Sequence, residues 1–247
     1  MKKLALLLLL ALAAAPAWAA VAVEGTPSTE DADPSSYAPE SGANRIVLWG
    51  FSGRQGTSGD SSYYLTSATY DSTAMTADGS IQNYVAGGVA RTAALFRALE
   101  ADLPVAAANL DATFDTNTPA TLRGGALTLS GVHQTSPLNA VDSINYADSS
   151  ATTHAFSVGV VSGGMLVLSV QSQQDFDESS VTGAGYTIAY NDETSAHNHL
   201  IAYKATTSNT TENFTLTITS AGRIHGILAA YSPSDIAFSS GPTIAAA

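Results

Sequence analysis

Apolar and polar residues alternate along most of this chain from Asn44 onward. The segment NFTLTIT shows the pattern most clearly, because Phe214, Leu216 and Ile218 fall on one side of an extended chain and threonines fall on the other. A period of two, with many Thr, Val, Ile, Tyr and Phe residues, predicts half-buried β-strands. Similar segments occupy residues 45–51, 65–70, 109–114, 123–132, 154–161, 165–172, 185–191, 199–207 and 223–231.

Turn-forming residues separate these segments. Stretches of Gly, Ser, Asp, Asn and Pro recur at intervals of about 8 to 15 residues. Periodic helices do not stand between the segments, so the pattern predicts an all-β fold, an antiparallel β-sandwich, and disfavours a parallel α/β sheet. Residues 44–233 are long enough to bury one core as a single domain. The chain has no cysteine, so this core has to form without disulfides.

One segment, residues 90–103, is compatible with two structures. Its sequence, within ARTAALFRALEADLP, is rich in helix formers, and a helix would align Leu95, Leu99 and Leu103 on one side before Pro104 ends it. The same residues also alternate in a way that fits a strand. Local propensity is a weak guide against the context of a sheet, so both structures stay open.

The two ends of the chain differ in composition from residues 44–233. Residues 1–19 carry two lysines, an apolar run and a small-residue pattern, which predicts a cleaved signal peptide and a protein that is secreted, extracellular or periplasmic, without membrane insertion after cleavage. Residues 20–43 are rich in Pro, Ser, Thr and acids, which predicts a flexible acidic arm whose first residues could add to an exposed sheet edge but are expected to fray. Residues 234–247 are interpreted as a tail.

Charge excludes some classes of partner. The full chain has a net charge of -12, and removal of the first 19 residues leaves seven basic and 21 acidic residues, a net charge of -14. Such a surface repels nucleic acid and anionic lipid and attracts divalent cations. No nucleic-acid partner is therefore expected.

The order of five segments along the chain carries a resemblance, and these segments are NRIVLWGFS, LTSATYDSTAMT, RTAALFRALEADLP, LTLSGVHQTSPL and GRIHGILAAYSP. It resembles a domain found in many uncharacterised secreted or surface proteins of bacteria, and this resemblance implies a jelly-roll-like β-sandwich in which residues 90–103 form a strand. That domain has no agreed catalytic residues, so the resemblance implies none here. His133 departs from it, since an acidic residue is expected at this position.

Two histidines form the sharpest metal candidate. His197 and His199 are two residues apart on a predicted strand and therefore point the same way. With oxygen from Asp192 or Glu193, they could hold zinc, copper or nickel. The alternative is that both rings simply lie on a polar face of the sheet at the start of the strand.

Three carboxylates in one loop form a second metal candidate. Asp175, Asp177 and Glu178 in QQDFDESS could contribute oxygen ligands to a structural calcium ion. The loop lacks the glycine and the distant glutamate of an EF-hand, so solvated carboxylates are the alternative.

Candidate ligand-binding residues lead to the functional hypotheses. Tyr63, Tyr64 and Tyr84 lie in loop-like stretches where their rings could stack on sugars. Ser52 lacks the Gly-x-Ser-x-Gly pattern of a nucleophile elbow. The leading hypothesis is a non-enzymatic extracellular protein that acts by surface contact, as an adhesion, matrix or appendage subunit, with other copies of itself or cell-surface glycans as partners. The alternatives are a carbohydrate-binding module, with or without calcium, and a glycoside-acting hydrolase with two facing carboxylates.

Overall fold

The regular secondary structure of the described chain is almost entirely β-strand. A computed structural model describes residues 20–29, 35–54, 65–79, 82–86, 89–115, 121–146, 150–194 and 197–234. Within these ranges every strand pairs antiparallel to its neighbours, which confirms the predicted all-β sandwich. The same ranges contain no helix long and apolar enough to cross a membrane. The elements are β1 (Ala22–Thr29), β2 (Ser35–Tyr37), β3 (Ile46–Arg54), β4 (Leu65–Tyr70), β5 (Thr73–Ala74), β6 (Thr76–Ala77), β7 (Gln82–Ala86), β8 (Val89–Leu99), β9 (Ala108–Phe114), β10 (Thr121–Ser130), β11 (Leu138–Tyr146), β12 (Thr153–Val160), β13 (Met165–Ser172), α1 (Glu178–Gly183), β14 (Thr187–Thr194), β15 (His197–Ala205), β16 (Thr210–Thr217) and β17 (Ile224–Tyr231).

The strands form four sheets stacked in layers. Sheet I has the order β2-β9-β4-β5, and sheet II has the order β1-β10-β3-β8-β6, with β7 also paired to β8. Sheet III has the order β11-β17-β13-β15-β14, and sheet IV is the pair β12-β16. Three buried apolar clusters fill the spaces between consecutive sheets, the last of them with help from α1. Sheets II and III are therefore covered on both faces, which explains why β3, β13 and β17 are buried along almost their whole length.

Residues 89–99 form the strand β8. Its alternate residues serve two layers, because Phe96 packs toward sheet I while Leu95 packs toward sheet III. β8 pairs with β3 over residues 91–99 and with β6 and β7 on its other edge, and these hydrogen bonds outweigh the local preference of Ala and Leu for a helix. Only residues Glu100–Asp102 form a short 3₁₀ turn.

Much of the expected flexible arm belongs to the sheets. Within the described residues, β1 pairs with β10, β2 pairs with β9, and the Val21 amide donates to the Gly163 carbonyl at 2.7 Å. The expectation of a frayed arm is therefore wrong for these strands, because the side chain of Val21 is buried in the central layer and the edge of β10 satisfies the backbone of β1. The predicted signal peptide and residues 235–247 lie outside the described residues.

Two glycines allow sheets II and III to approach closely. Gly50 and Gly125 are cross-strand neighbours in sheet II. A Cβ atom at Gly50 would lie 2.6 Å from Ile201 Cδ1, and a Cβ at Gly125 would lie 3.0 Å from the same atom. The Ile201 side chain of sheet III thus occupies the space that two larger residues would fill.

We expect Gly50→Ala to destabilise the fold by about 1 to 3 kcal/mol, because the added methyl group overpacks a close-packed interior. Urea unfolding followed by tryptophan fluorescence measures the change, and Ile201→Val in the same chain should restore part of it. Gly159→Ala is the matched control, since nothing lies within 4 Å of a Cβ at that strand position. Equal stabilities of the two alanine variants would contradict the argument.

Candidate functional site

The central layer, between sheets II and III, changes from apolar to polar along its length. At one end it contains Ile46, Leu129, Met165 and Tyr231. At the other end, where β3 and β13 finish and β8, β15 and β17 begin, the inward-facing positions are polar. We call this half of the layer the arginine end. Its residues are Ser52, Arg54, Arg91, Arg123, Ser169, Gln171, His197, His199 and His225.

A row of polar residues crosses sheet III at the arginine end. The strand registers align Asn145 with His225, His225 with Gln171, Gln171 with His199, and His199 with Asp192. His225 Nδ1 lies 2.8 Å from Asn145 Oδ1, so the neutral ring donates its Nδ1 proton to this amide oxygen. Register between strands that are far apart in sequence therefore creates this row.

Three arginines face this row from sheet II. Arg54 and Arg91 are direct cross-strand neighbours, and Arg123 is the neighbour of Ser52 on the other side of β3. Arg91 is 1% exposed, whereas the Arg123 side chain is 17% exposed. Arg123 Nε lies 2.6 Å from Asp192 Oδ2, which ties the two sheets together at the rim of the layer.

Two serines lie within hydrogen-bond distance of the histidines. Ser52 Oγ lies 3.1 Å from His197 Nε2. Ser169 Oγ donates to the Ala94 carbonyl at 3.1 Å, and it lies 3.1 Å from His199 Nε2. Because the hydroxyl proton of Ser169 is used on the carbonyl, His199 donates from Nε2 to Ser169. The Ser52–His197 contact and the bond from Ser169 to the Ala94 carbonyl link sheet II to sheet III, whereas the Ser169–His199 contact lies within sheet III.

The three histidines of the arginine end are uncharged at neutral pH. Burial lowers the pKa of His197 to about 2, and the neighbouring His199, Arg123, Arg91 and Arg54 lower it further in that order. Burial lowers the pKa of His199 to about 3, against a partial opposing effect of a hydrogen bond with the Arg123 backbone. The pKa of His225 is lowered to about 3, again chiefly by burial.

These pKa values bear on the hypothesis of a serine nucleophile. A general base has to have a pKa near the working pH to accept a serine proton. His197 is far too weak a base at neutral pH, and Ser52 beside it is fully buried. The Ser52–His197 contact therefore stabilises the packing of the two sheets and does not activate the serine.

The two histidines predicted to bind a metal share one face, and this face is buried rather than solvent-exposed. Arg123, whose charge lowers the pKa of both His197 and His199, makes their surroundings unfavourable for a cation. Asp192 contacts this arginine, and Glu193 Oε1 accepts the Phe176 amide at 3.0 Å. Across the described ranges, no group of three or more His, Cys, Asp and Glu side chains is arranged to hold a metal ion.

The three loop carboxylates predicted to bind calcium contact separate partners. Asp177 is the N-cap of α1, and its Oδ1 accepts the Ser179 amide at 3.1 Å. Asp175 Oδ1 accepts Asn198 Nδ2 at 3.1 Å. Glu178 Oε1 accepts Asn191 Nδ2 at 2.6 Å. The loop uses these acids to start a helix and to bind the neighbouring strands, so calcium binding there stays a prediction.

Two exposed aspartates share a small cleft beside sheet I. Asp71 and Asp111 line a polar space of about 300 Å³, and the β4–β5 turn brings Asp71 there with a positive φ of 49°. A glycosidase needs one carboxyl group held protonated by an apolar pocket. Both aspartates are solvent-exposed, so this cleft lacks that environment.

A larger cleft lies around Pro233, at the apolar end of the central layer and thus opposite the arginine end. It has a volume of about 620 Å³, and it includes His133, the residue that departs from the resemblance noted above. His133 Nδ1 accepts the Ser136 amide at 3.0 Å, and the His133 amide donates to the Ser232 carbonyl at 3.0 Å. Asn209 Oδ1 accepts the Ser162 amide at 2.7 Å. The lining residues are His133, Ser136, Val161, Ser162, Gly163, Asn209, Ser232 and Pro233.

The tyrosines predicted to stack on sugars are only partly placed. Tyr63 and Tyr64 lie outside the described residues. Tyr84 belongs to β7 and pairs with Arg91 of β8, so its backbone is part of a strand and not of the predicted loop. The structure describes only the backbone at this position.

Comparison with known proteins adds no relative to this picture, and the resemblance to a bacterial surface domain stays an expectation. The chain matches no family model, and searches of curated proteins and of solved structures find no match.

Proposed function

We propose that this is a secreted, non-enzymatic protein that acts by surface contact and holds hydroxyl-rich groups of cell-surface glycans in the cleft beside His133. One observation carries the proposal, namely that, on a strongly acidic protein, the described lining of a cleft of about 620 Å³ consists of uncharged side chains and one imidazole. This volume is within the range of about 300 to 1,000 Å³ that is typical of small-ligand sites.

The chemistry of the lining suits neutral sugars. Serine hydroxyls at 136, 162 and 232 and the Asn209 amide can exchange hydrogen bonds with sugar hydroxyls. Since His133 Nδ1 accepts the Ser136 amide, the neutral form of the ring carries its proton on Nε2. Val161 and Pro233 supply aliphatic contact area for the ring faces of a sugar. Hydroxyl recognition of this kind requires no catalytic group.

Binding of the mature protein to a glycan array, with and without calcium, tests the proposal. Ser136→Trp should reduce binding by at least about tenfold, because the indole would fill the cleft that buries the ligand. Ser136 is exposed, so the substitution leaves the core intact.

The matched control is Ser220→Trp, which adds the same indole at an exposed position in the loop between β16 and β17. This loop precedes the start of β17 and therefore lies on the side of the arginine end. Binding by this variant should equal that of the wild type. The proposal fails if the array shows no ligand, or if Ser136→Trp binds as well as Ser220→Trp.

A further inference from the structure

We propose that the outer edge of β16 pairs with the same edge of a second copy of this chain, so that two β16 strands run antiparallel about a two-fold axis at Asn213. The described lining of the cleft beside His133 includes no residue of β16, and the inference does not depend on the proposed function. Three properties of β16 support it, namely open backbone groups, a lack of edge protection and a neutral solvent face.

The neighbouring strand β12 has an occupied outer edge. Its Ser157 amide donates to Asp142 Oδ2 of β11 at 2.7 Å, and its Gly159 carbonyl accepts a hydrogen bond from Asn139 Nδ2 of β11 at 2.9 Å. Odd-numbered residues of β12 therefore direct their backbone groups toward β11, and even-numbered residues form the ladder with β16. Side chains thus join sheets III and IV at this border, which leaves β16 as the outer strand of sheet IV.

The same alternation turns the backbone groups of odd-numbered residues of β16 away from β12. Thr217, the last residue of β16, shows this direction, because its amide donates to Ser180 Oγ of α1 at 3.1 Å and its carbonyl accepts the Asp177 amide at 2.9 Å. The segment that begins α1 therefore occupies one end of the outer edge.

The rest of this outer edge is open at three positions. These are Thr211, Asn213 and Thr215, and each residue is exposed. Across the described ranges, no hydrogen bond from another element reaches their backbone groups. Antiparallel pairing about Asn213 places this residue opposite its own copy, and Thr211 opposite Thr215 of the second copy. Each such pair exchanges two hydrogen bonds, so about six join the two strands.

β16 also lacks the features that protect other edge strands of this fold. Register shifts interrupt the pairing of β1, β11 and β14, whereas β16 pairs with β12 without a shift over all of its 8 residues. β1 contains Pro27, and β16 contains no proline. The one charged residue of β16, Glu212, turns toward sheet III and contacts Lys204. Proteins usually interrupt or charge an exposed edge to prevent pairing, so an edge without these features is suited to it.

The solvent face of sheet IV suits a second copy of an acidic chain. The net charge of -12 makes two copies repel each other, but this face presents uncharged side chains, so no like charges meet at the two-fold axis. Edge pairing alone buries less surface than a standard interface, and we therefore expect a weak, reversible dimer. The exposed residues of this face are Thr153, Ala155, Ser157, Thr211, Asn213 and Thr215.

Sedimentation equilibrium of the mature protein from about 10 µM to 1 mM tests the inference and should show a monomer–dimer equilibrium. Dimerisation should strengthen as sodium chloride rises from about 0.05 to 0.5 M, because salt screens the repulsion between acidic copies. In NMR spectra, the amides of Thr211, Asn213 and Thr215 should become protected from hydrogen exchange as the dimer forms. A monomer at every concentration overturns the inference, including one in which residues 235–247 of the same chain protect these amides.

Asn213→Pro should weaken dimerisation by about tenfold or more, because each copy loses the N–H group at the centre of the pairing. The monomer should still fold, since proline is tolerated on an edge strand where the N–H side faces solvent. Asn213→Thr is the matched control. It changes the side chain but keeps the N–H group, so it should dimerise as the wild type does.

Asn213→Asp is a second variant in case Asn213→Pro does not fold. It is nearly isosteric and keeps an oxygen that can accept the Ser157 hydroxyl, which donates to Asn213 Oδ1 at 3.0 Å. In the dimer it places two like charges opposite each other, so dimerisation should weaken. Ser220→Asp, which adds the same charge in the exposed loop after β16, is its control. The inference is overturned if each of the proline and aspartate variants that folds dimerises as its control does.

Discussion

Lowering the pH from 7 to 4.5 is expected to destabilise the folded protein by as much as about 8 kcal/mol. His197, His199 and His225 are buried and uncharged, with pKa values of about 2, 3 and 3. In the unfolded chain each has a pKa of about 6.5, so each contributes about 2.7 kcal/mol to the change at pH 4.5. This sum is comparable with the whole stability of a typical domain, about 5 to 15 kcal/mol, and acid should therefore unfold the protein.

The direction of this effect follows from where the protons bind. Between about pH 6.5 and pH 3 the unfolded chain binds protons at these histidines and the folded chain does not, so stability falls as the pH falls. The neighbouring Arg54, Arg91, Arg123 and Arg223 strengthen the effect, since their charges also oppose protonation.

Urea unfolding at pH 7, 6, 5 and 4.5 measures the dependence. Replacing all three histidines by glutamine should remove most of it, after allowance for any loss of stability at pH 7. A smaller dependence should remain, because burial also lowers the pKa of His154. As a matched comparison, His225→Gln alone should remove only about one third of the dependence, because one of the three rings is replaced. A free energy of unfolding that stays constant from pH 7 to 4.5 would contradict the assignment of neutral, buried rings.

Replacing Asp78 by alanine is expected to cost about 3 to 5 kcal/mol, because removal of one partner of a buried ion pair leaves the other charge unpaired. Asp78 is fully buried, and its carboxylate contacts the Arg97 guanidinium and accepts the Tyr231 hydroxyl. The Asp78 amide also donates to the Leu95 carbonyl at 2.8 Å. These contacts hold the β6 side of sheet II against β17 of sheet III.

Chemical unfolding at neutral pH measures the loss. The matched control is Glu212→Ala, which breaks the more exposed pair with Lys204, where the nitrogen–oxygen distance is 2.5 Å, and should cost at most about 1 kcal/mol. The double variant Asp78→Leu with Arg97→Met removes both charges and should be less damaging than Asp78→Ala alone. If Asp78→Ala costs no more than Glu212→Ala, the buried pair does not stabilise the fold as argued.

Some of the fold was predictable because strand signals are local. The alternation in NFTLTIT predicted a half-buried strand, and Phe214 and Leu216 of β16 are indeed buried while their threonine neighbours are more exposed. Residues 90–103 were undecided for a related reason. Their own sequence favours a helix, and only the partners β3, β6 and β7 supply the hydrogen bonds that make the strand more stable.

The candidate site was much less predictable. The period of two correctly placed His197 and His199 on one face of a strand, but it could not show that sheet II covers that face. The pairing of Arg54 with Arg91 depends on the register between β3 and β8, and the approach of Arg123 to Asp192 depends on how two sheets stack. In sequence these four charged residues look like ordinary surface residues of an acidic protein.

The amino-acid sequence by itself determined the all-β class, the positions of most strands and the burial of residues such as Phe214, because alternation and turn residues act over a few neighbours. Only the tertiary structure decided that four sheets stack, that the first strand closes an edge of sheet II and that histidines and arginines meet inside the central layer. Those features depend on register and on packing between distant segments. A shift of one residue in register would turn each of these side chains to the opposite face.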